Sequence, residues 1–228
     1  MWPTDAAALI ARQTELARAR VPVLAFDPAA PVGGCFACFA RGGRGPGRAG
    51  ERGWAGAALL AQGRPPVTLT ILGEAAAPYS PGLLALREGA LLEAAVRALP
   101  RPPSVLLVDG TGRDHPRGAG LALHLGAELG IPTVGVTHRP LLASGDWPAD
   151  CRGAASPLLL DGLQVGAWLR TREGARPLAV HAAWGTSPDR AVEVVLAVTE
   201  GVRTPEPLRL ARQAARRARG AAGREGVS

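Results

Sequence analysis

A chain of 228 residues, 47% of them apolar, has enough hydrophobic surface for one good core, which excludes wholesale disorder. Its formal net charge of +7 rests on arginine alone, since the sequence contains no lysine, so chemistry that asks for a lysine must be done by another residue. Three cysteines do not make a disulfide framework and no apolar run reaches the ~20 residues of a membrane span, so a reducing, cytoplasmic setting without a membrane is expected, and the positive charge suits a phosphate backbone.

In chain order, residues 5–20 form an amphipathic helix with charges throughout, unlike a signal peptide. "VPVLAFD" (21–27) reads as a short strand ending in an acid, and "GGCFACFA" (33–40) as a second strand. The CxxC within it has no second Cys or His pair at zinc-site distance, so the strand reading is preferred. "RGGRGPGRAGERG" (41–53) offers nothing apolar to bury and reads as a solvated loop or hairpin tip. "WAGAALLAQG" and "PVTLTILGEAAA" are further strands of an antiparallel meander, turned by "GRPP". Leucines, alanines and Val96 then recur at helical spacing over residues 82–99. "RPPSVLLVDG", "GAGLALHLGAELG" and "IPTVGVTH" follow as buried strand, helix and buried strand, a β-α-β crossover that implies parallel pairing. "LQVGAWLRT" and "RPLAVHAAW" alternate as a hairpin, and "SPDRAVEVVLAVTEG" is a helix with Ser187 as N-cap. The fold class is α/β, a ribonuclease-H-like mixed sheet in which an antiparallel meander is followed by β-α-β crossovers and flanked by helices.

Asp27 and Asp109 end predicted strands, and Glu88 lies in the first turns of the helix between them. Each alone reads as well as a turn residue or a solvated helix face. Together they can converge on Mg²⁺, which favours oxygen ligands and substrate phosphates, can generate hydroxide and can stabilise a leaving oxygen. The glycines at 110 and 112 allow close backbone approach to a ligand, and His115 on the same loop suits acid–base chemistry or a base edge. Asp114 beside His115 suggests a hydrolase dyad as a remote reading, with no nucleophile in a suitable context.

"PYSPGLLALRE", "VDGTGRDHPRGAGLALHLG", "GIPTVGV", "LRTREGARPLAV" and "TPEPLRLA" are long and specific, and together they resemble endonuclease V, the deoxyinosine 3′ endonuclease family, over residues 23–211. The resemblance implies a ribonuclease-H-like fold and hydrolysis of the second phosphodiester bond 3′ to deoxyinosine in DNA, extending to inosine in RNA for some members. It implies Mg²⁺, with Mn²⁺ as a substitute, and puts Asp27, Glu88 and Asp109 on the metal-binding acids. Tyr79, after Pro78, falls on the wedge that enters the duplex. Gly82, Leu84, Gly110, Gly112, His115 and Gly120 fall on or near the pocket for the flipped base.

Three departures stand beside the match. His138, followed by Arg139, occupies the family's catalytic lysine position, and Trp184 that of a histidine near the metal. The first acidic motif reads "AFDPAAP". The expectation divides between an active metal-dependent endonuclease and a weak or inactive relative that binds inosine-containing or distorted nucleic acid. One domain is expected over residues 1–211, with 212–228 a basic tail, helical at first and then flexible, on a monomer.

Overall fold

The computed structural model describes residues 2–40 and 45–225. An eight-stranded sheet runs in the order β3-β2-β1-β4-β5-β8-β7-β6. Strands β1 (Val32–Phe39), β2 (Arg52–Leu60) and β3 (Val67–Glu74) make the expected meander. β4 (Val105–Val108) and β5 (Thr133–Thr137) run parallel to β1, and β8 (Leu178–Ala182), β7 (Leu163–Leu169) and β6 (Ala155–Leu160) complete the sheet antiparallel. Helices α1 (Ala6–Arg18), α2 (Leu84–Arg97) and α3 (Leu121–Leu129) bury Leu9, Leu92 and Leu123 against one face. α4 (Pro188–Ala197) and α5 (Glu206–Glu225) cover the other with Val194, Val195 and Leu208. This mixed α/β sheet bears out the ribonuclease-H-like architecture. β4 is buried on both faces, which explains its unbroken apolar run "VLLV". Local signals also hold: Asp5 caps α1 by accepting from Ala8 N–H (2.9 Å), and Ser187 caps α4.

Three expectations are corrected. Residues 21–27 are not a strand: Pro22 lacks an N–H, and Leu24 N–H donates to Gly185 C=O (2.8 Å), in the turn after β8, rather than into a ladder. β6 was not expected; it is an edge strand carrying Pro157 and a bulge at Leu158/Leu159, both at home on an edge. Residues beyond 211 do not begin a flexible tail. α5 continues to Glu225, with Ala211 and Ala215 fully buried against the sheet. Residues 226–228, and 41–44 of the expected arginine-rich loop, lie outside the described residues.

α5 can approach the sheet closely because two strand residues have no side chain. A Cβ on Gly34 would meet the Pro207 backbone at 2.5 Å, and one on Gly56 would meet Ala211 O at 2.1 Å. That contact decides where the next residue, Arg212, points.

Candidate functional site

Asp109 follows directly on β4 at the carboxyl end of the parallel strands, where open α/β sheets place their sites. Glu88, on the second turn of α2, lies near enough that Asp109's charge, added to burial, pushes its carboxyl up to about 8; Arg87 offsets this in part. At neutral pH Glu88 is therefore protonated.

Asp27 does not join them. It is exposed and starts a turn, its Oδ1 accepting from Ala29 N–H (2.9 Å) and its carbonyl from Ala30 N–H (2.9 Å). Val32 pairs with Val105 and Cys35 with Val108, so Phe36 is the residue level with Asp109. At the rise of a strand, Val32 to Phe36 alone is about 13 Å, and Asp27 lies further back at the opposite end of the sheet. Convergence failed because the expected strand at 21–27 does not exist.

The neighbour Asp109 does have is Phe36. Side chains alternate along a strand: Cys35 and Val108 face α2 and α3, so Phe36 and Asp109 both face α5. The same alternation sends Cys35 and Cys38 to opposite faces, in keeping with an ordinary strand. Facing Asp109 and Phe36 is Arg212. Its Nη2 donates to Asp109 Oδ2 (2.9 Å), and its guanidinium lies 5.2 Å from the Phe36 ring centre, with Arg216 at 5.4 Å from the same ring. Both distances are within cation–π range.

His138 follows β5 at the same end of the sheet. Burial and the charges of Arg203 and Arg212 lower its pKa against the opposing pull of Asp109, so it is neutral at pH 7 and supplies no permanent charge. Arg139 is exposed, and its carbonyl accepts from Thr137 Oγ1 (2.6 Å). Trp184 is not near the acids. β8 runs antiparallel to β5 with Ala182 opposite Val134, which carries Trp184 to the far end, against Gly126 and Thr133.

A cavity of about 240 Å³ opens beside Asp109, lined by Tyr79, Gly82, Leu84, Gly110, Thr111 and His115 among others. Tyr79 is half exposed at its rim, held by its N–H donating to Pro46 C=O (2.7 Å); Pro78 is exposed beside it. The loop behind is tied down by Arg87, which donates to Ala77 C=O (2.8 Å) and Glu51 (2.5 Å). Gly82 has φ +73, a conformation that suits glycine, and its carbonyl accepts from Gln13 (3.2 Å), His115 Nε2 (3.0 Å) and Arg117 Nη2 (2.7 Å). We expect Gly82→Ala to cost about 1 kcal/mol or more in urea unfolding, from the left-handed backbone alone.

His115 is a tie rather than a free acid or base. Its Nδ1 accepts from Arg117 N–H (3.2 Å) while Nε2 donates to Gly82, and burial, the largest cause, brings its pKa down to about 4. Gly112 and Gly120 do not line the cavity: a Cβ at either would strike Ala182 O (2.1 Å) or Thr111 O (2.4 Å), so they permit packing of the loop beneath it.

Asp114 does not pair with His115. It is fully buried and accepts from the N–H groups of Leu141 (2.6 Å), Leu142 (2.8 Å) and Ala143 (2.8 Å). Its other neighbour is His181, whose Nδ1 is 3.6 Å away and whose Nε2 is 2.8 Å from Thr137 Oγ1. Burial lowers the His181 pKa to about 4, against the pull of Asp114, and leaves the ring neutral. The cluster pins the loop after β5, including Leu141 on the cavity wall. Gln13, Thr137, Phe36, Arg212 and His181 were not singled out from the sequence. The only signal was Gln13, a polar residue on α1's buried stripe between Leu9 and Leu16.

The sequence profile of the family Endonuclease V matches residues 52–213. The chain belongs to the endonuclease V family. The endonuclease V of Streptomyces avermitilis is 44% identical over 149 residues, 65% of each chain, so by sequence this chain spans just under two thirds of that relative's length. The crystal structure of a Streptomyces avermitilis endonuclease V superposes with a TM-score of 0.86 at 36% identity, covering 97% of this chain and 96% of that one. Endonuclease V from Ciona intestinalis, solved with a 24mer DNA containing an inosine followed by a ribo-adenosine, shares the fold: its TM-score is 0.77 at 21% identity, over 93% and 96% of the two chains.

Endonuclease V is a family of endonucleases, hence of hydrolases, that generally work with a metal. The donor set in this chain does not fit a resident divalent ion. Asp109 is paired with Arg212, and the position level with Asp109 on β1 is a phenyl ring rather than a carboxylate. Among the described residues no group of three or more His, Cys, Asp and Glu is placed to hold a metal ion.

Proposed function

We propose that this chain recognises deoxyinosine, the deaminated form of adenine, in damaged DNA, and that it is a repair endonuclease with a weakened cutting step. The reaction is the family's: hydrolysis of the second phosphodiester bond 3′ to the lesion, leaving a 3′-hydroxyl and a 5′-phosphate. The observation that carries recognition is the half-exposed Tyr79 ring at the rim of a base-sized cavity that ends on Asp109. Extruding a base costs a few kcal/mol of unstacking, and a ring moving into the gap offsets part of it. Pro78 and Pro81 restrict the backbone that presents the ring. Cys35 and Cys38, buried in β1, fit a reducing cytoplasm.

Mg²⁺, or Mn²⁺ in its place, is the cation the resemblance implies, and Glu88 and Asp109 are the residues that would face it. With Asp109 paired to Arg212 and a phenyl ring at position 36 they do not hold it in the free protein, which is what weakens the cutting step. A second reading, binding without scission, is favoured by the Arg212–Asp109 pair.

A duplex with a single deoxyinosine, incubated under single-turnover conditions with Mg²⁺ or Mn²⁺, separates the two, and an inosine RNA strand tests the sugar. A slow nick that disappears in Asp109→Ala supports the endonuclease. No nick with retained affinity leaves the binder, and loss of both removes the function. Tyr79→Ala is expected to weaken inosine-duplex binding about tenfold, the value of one stacking contact, without moving the melting temperature. Equal affinity in fluorescence anisotropy would rule out the wedge.

A further inference from the structure

Arg212 stands where the metal chemistry of this fold would need a cation. Asp109 is partly buried at the carboxyl ends of the parallel strands, beside Glu88, where a negative charge calls for a positive partner, and Arg212 supplies one at 2.9 Å. The contact is built in rather than incidental. α5 is seated on the backbone at Gly34 and Gly56, so the residue after Ala211 has little freedom in direction. The Phe36 ring then supports the guanidinium from one side at 5.2 Å. Phe36 also closes off the one β1 position from which a further carboxylate would reach the same point as Asp109. Arg212 Nε is buried and without a partner among the described residues, so its position is set by Asp109 and Phe36. The side chain is 20% exposed, so it can be reached from solvent.

From this we infer that Arg212 is the resident cation of the acid pair and replaces a divalent ion in holding the lesion strand. Its fork of donors engages Asp109 on one side and a phosphate oxygen on the other, a geometry that guanidinium suits. The inference rests on the proposed inosine recognition for its DNA arm, but not for its metal arm.

The metal arm uses the protein without DNA. Mn²⁺ titrated into the wild type, followed by electron paramagnetic resonance, should show no saturable binding. Phe36→Asp combined with Arg212→Ala frees Asp109 and adds a carboxylate beside it, and should take up about one equivalent, which suits a site of two or more carboxylates. Saturable binding to the wild type that is lost in Asp109→Asn overturns the inference, and that measurement stands even where the double variant fails to fold. A folded double variant that binds no Mn²⁺ also overturns it.

In the DNA arm, wild-type affinity for an inosine duplex should agree within about twofold between EDTA and Mg²⁺ at matched ionic strength. Arg212→Ala should lower the salt dependence of that affinity by about one counterion. Affinity that rises tenfold or more with Mg²⁺ in the wild type overturns the substitution, on the scale of about 1.4 kcal/mol per decade. Absence of inosine binding under all conditions removes the recognition reading and leaves the metal arm to be judged alone.

Discussion

Asp114→Ala is expected to destabilise the protein by about 3 kcal/mol or more in urea unfolding, the scale for losing several hydrogen bonds to one charged acceptor. The carboxylate is fully buried and gathers three consecutive backbone N–H groups, from Leu141 to Ala143. Hydrogen bonds to a charged acceptor contribute about 1.5–3 kcal/mol each, against the desolvation of the charge itself. Two of the donors belong to exposed residues and recover water when the carboxylate leaves, while Ala143 is buried and its N–H is left without a partner. Asp114→Asn keeps one acceptor oxygen and turns the other into an NH₂ facing an N–H, so about half the loss is expected. Both variants loosen the loop carrying His138 and Leu141, and inosine affinity should fall in parallel. A change within about 0.5 kcal/mol, the range of ordinary surface substitutions, would mean that other contacts hold the loop.

Asp114 also illustrates what was legible in the sequence. Periodicity located four of the five helices, seven of the eight strands and the mixed sheet, because burial of one face or of both leaves a regular pattern. Residues 21–27 have the composition of a strand, but Leu24 bonds to a turn after β8, a tertiary fact with no local trace. The missed β6 had a signal: Asp161 and Gly162 both have positive φ, and an Asp-Gly pair between apolar runs announces a tight hairpin.

At the site, Tyr79, Gly82, Glu88 and Asp109 were legible because contiguous motifs carry them. Asp27 was assigned from a strand that does not form. Phe36 and Arg212 were illegible for the opposite reason. Each looks ordinary in its own segment, an apolar residue in a strand and an arginine in a basic helix, and their meaning comes only from the β1–β4 register and from the seating of α5. The arginine-rich end of the chain therefore has two parts with different roles. Arg212 is committed to Asp109 and Phe36 and Arg216 to Phe36, while Arg217 is exposed to solvent.

Glu88→Gln is expected to stabilise the protein increasingly as pH rises. Burial and Asp109 raise the Glu88 carboxyl from 4.5 to about 8 on folding. Below the lower value both states are protonated and the residue contributes no penalty. Between the two, the unfolded chain releases a proton that the folded chain retains, so stability falls by up to about 1.4 kcal/mol per pH unit. Above the higher value both are ionised and the loss levels off. Glutamine reproduces the neutral form, so the variant escapes this loss. Its melting temperature should match the wild type near the lower pKa and exceed it by about 5 °C or more at the upper one, a few kcal/mol at about 2–4 °C each for a chain of this size. The gain shrinks where Arg87 offsets the charge of the ionised group. Near neutral pH the wild-type carboxyl already carries its proton, so inosine binding by the two proteins should be equal there. A melting difference that stays flat with pH, or that reverses in sign, would show that Glu88 is ionised in the folded protein. The acid pair would then hold two negative charges against the one guanidinium of Arg212.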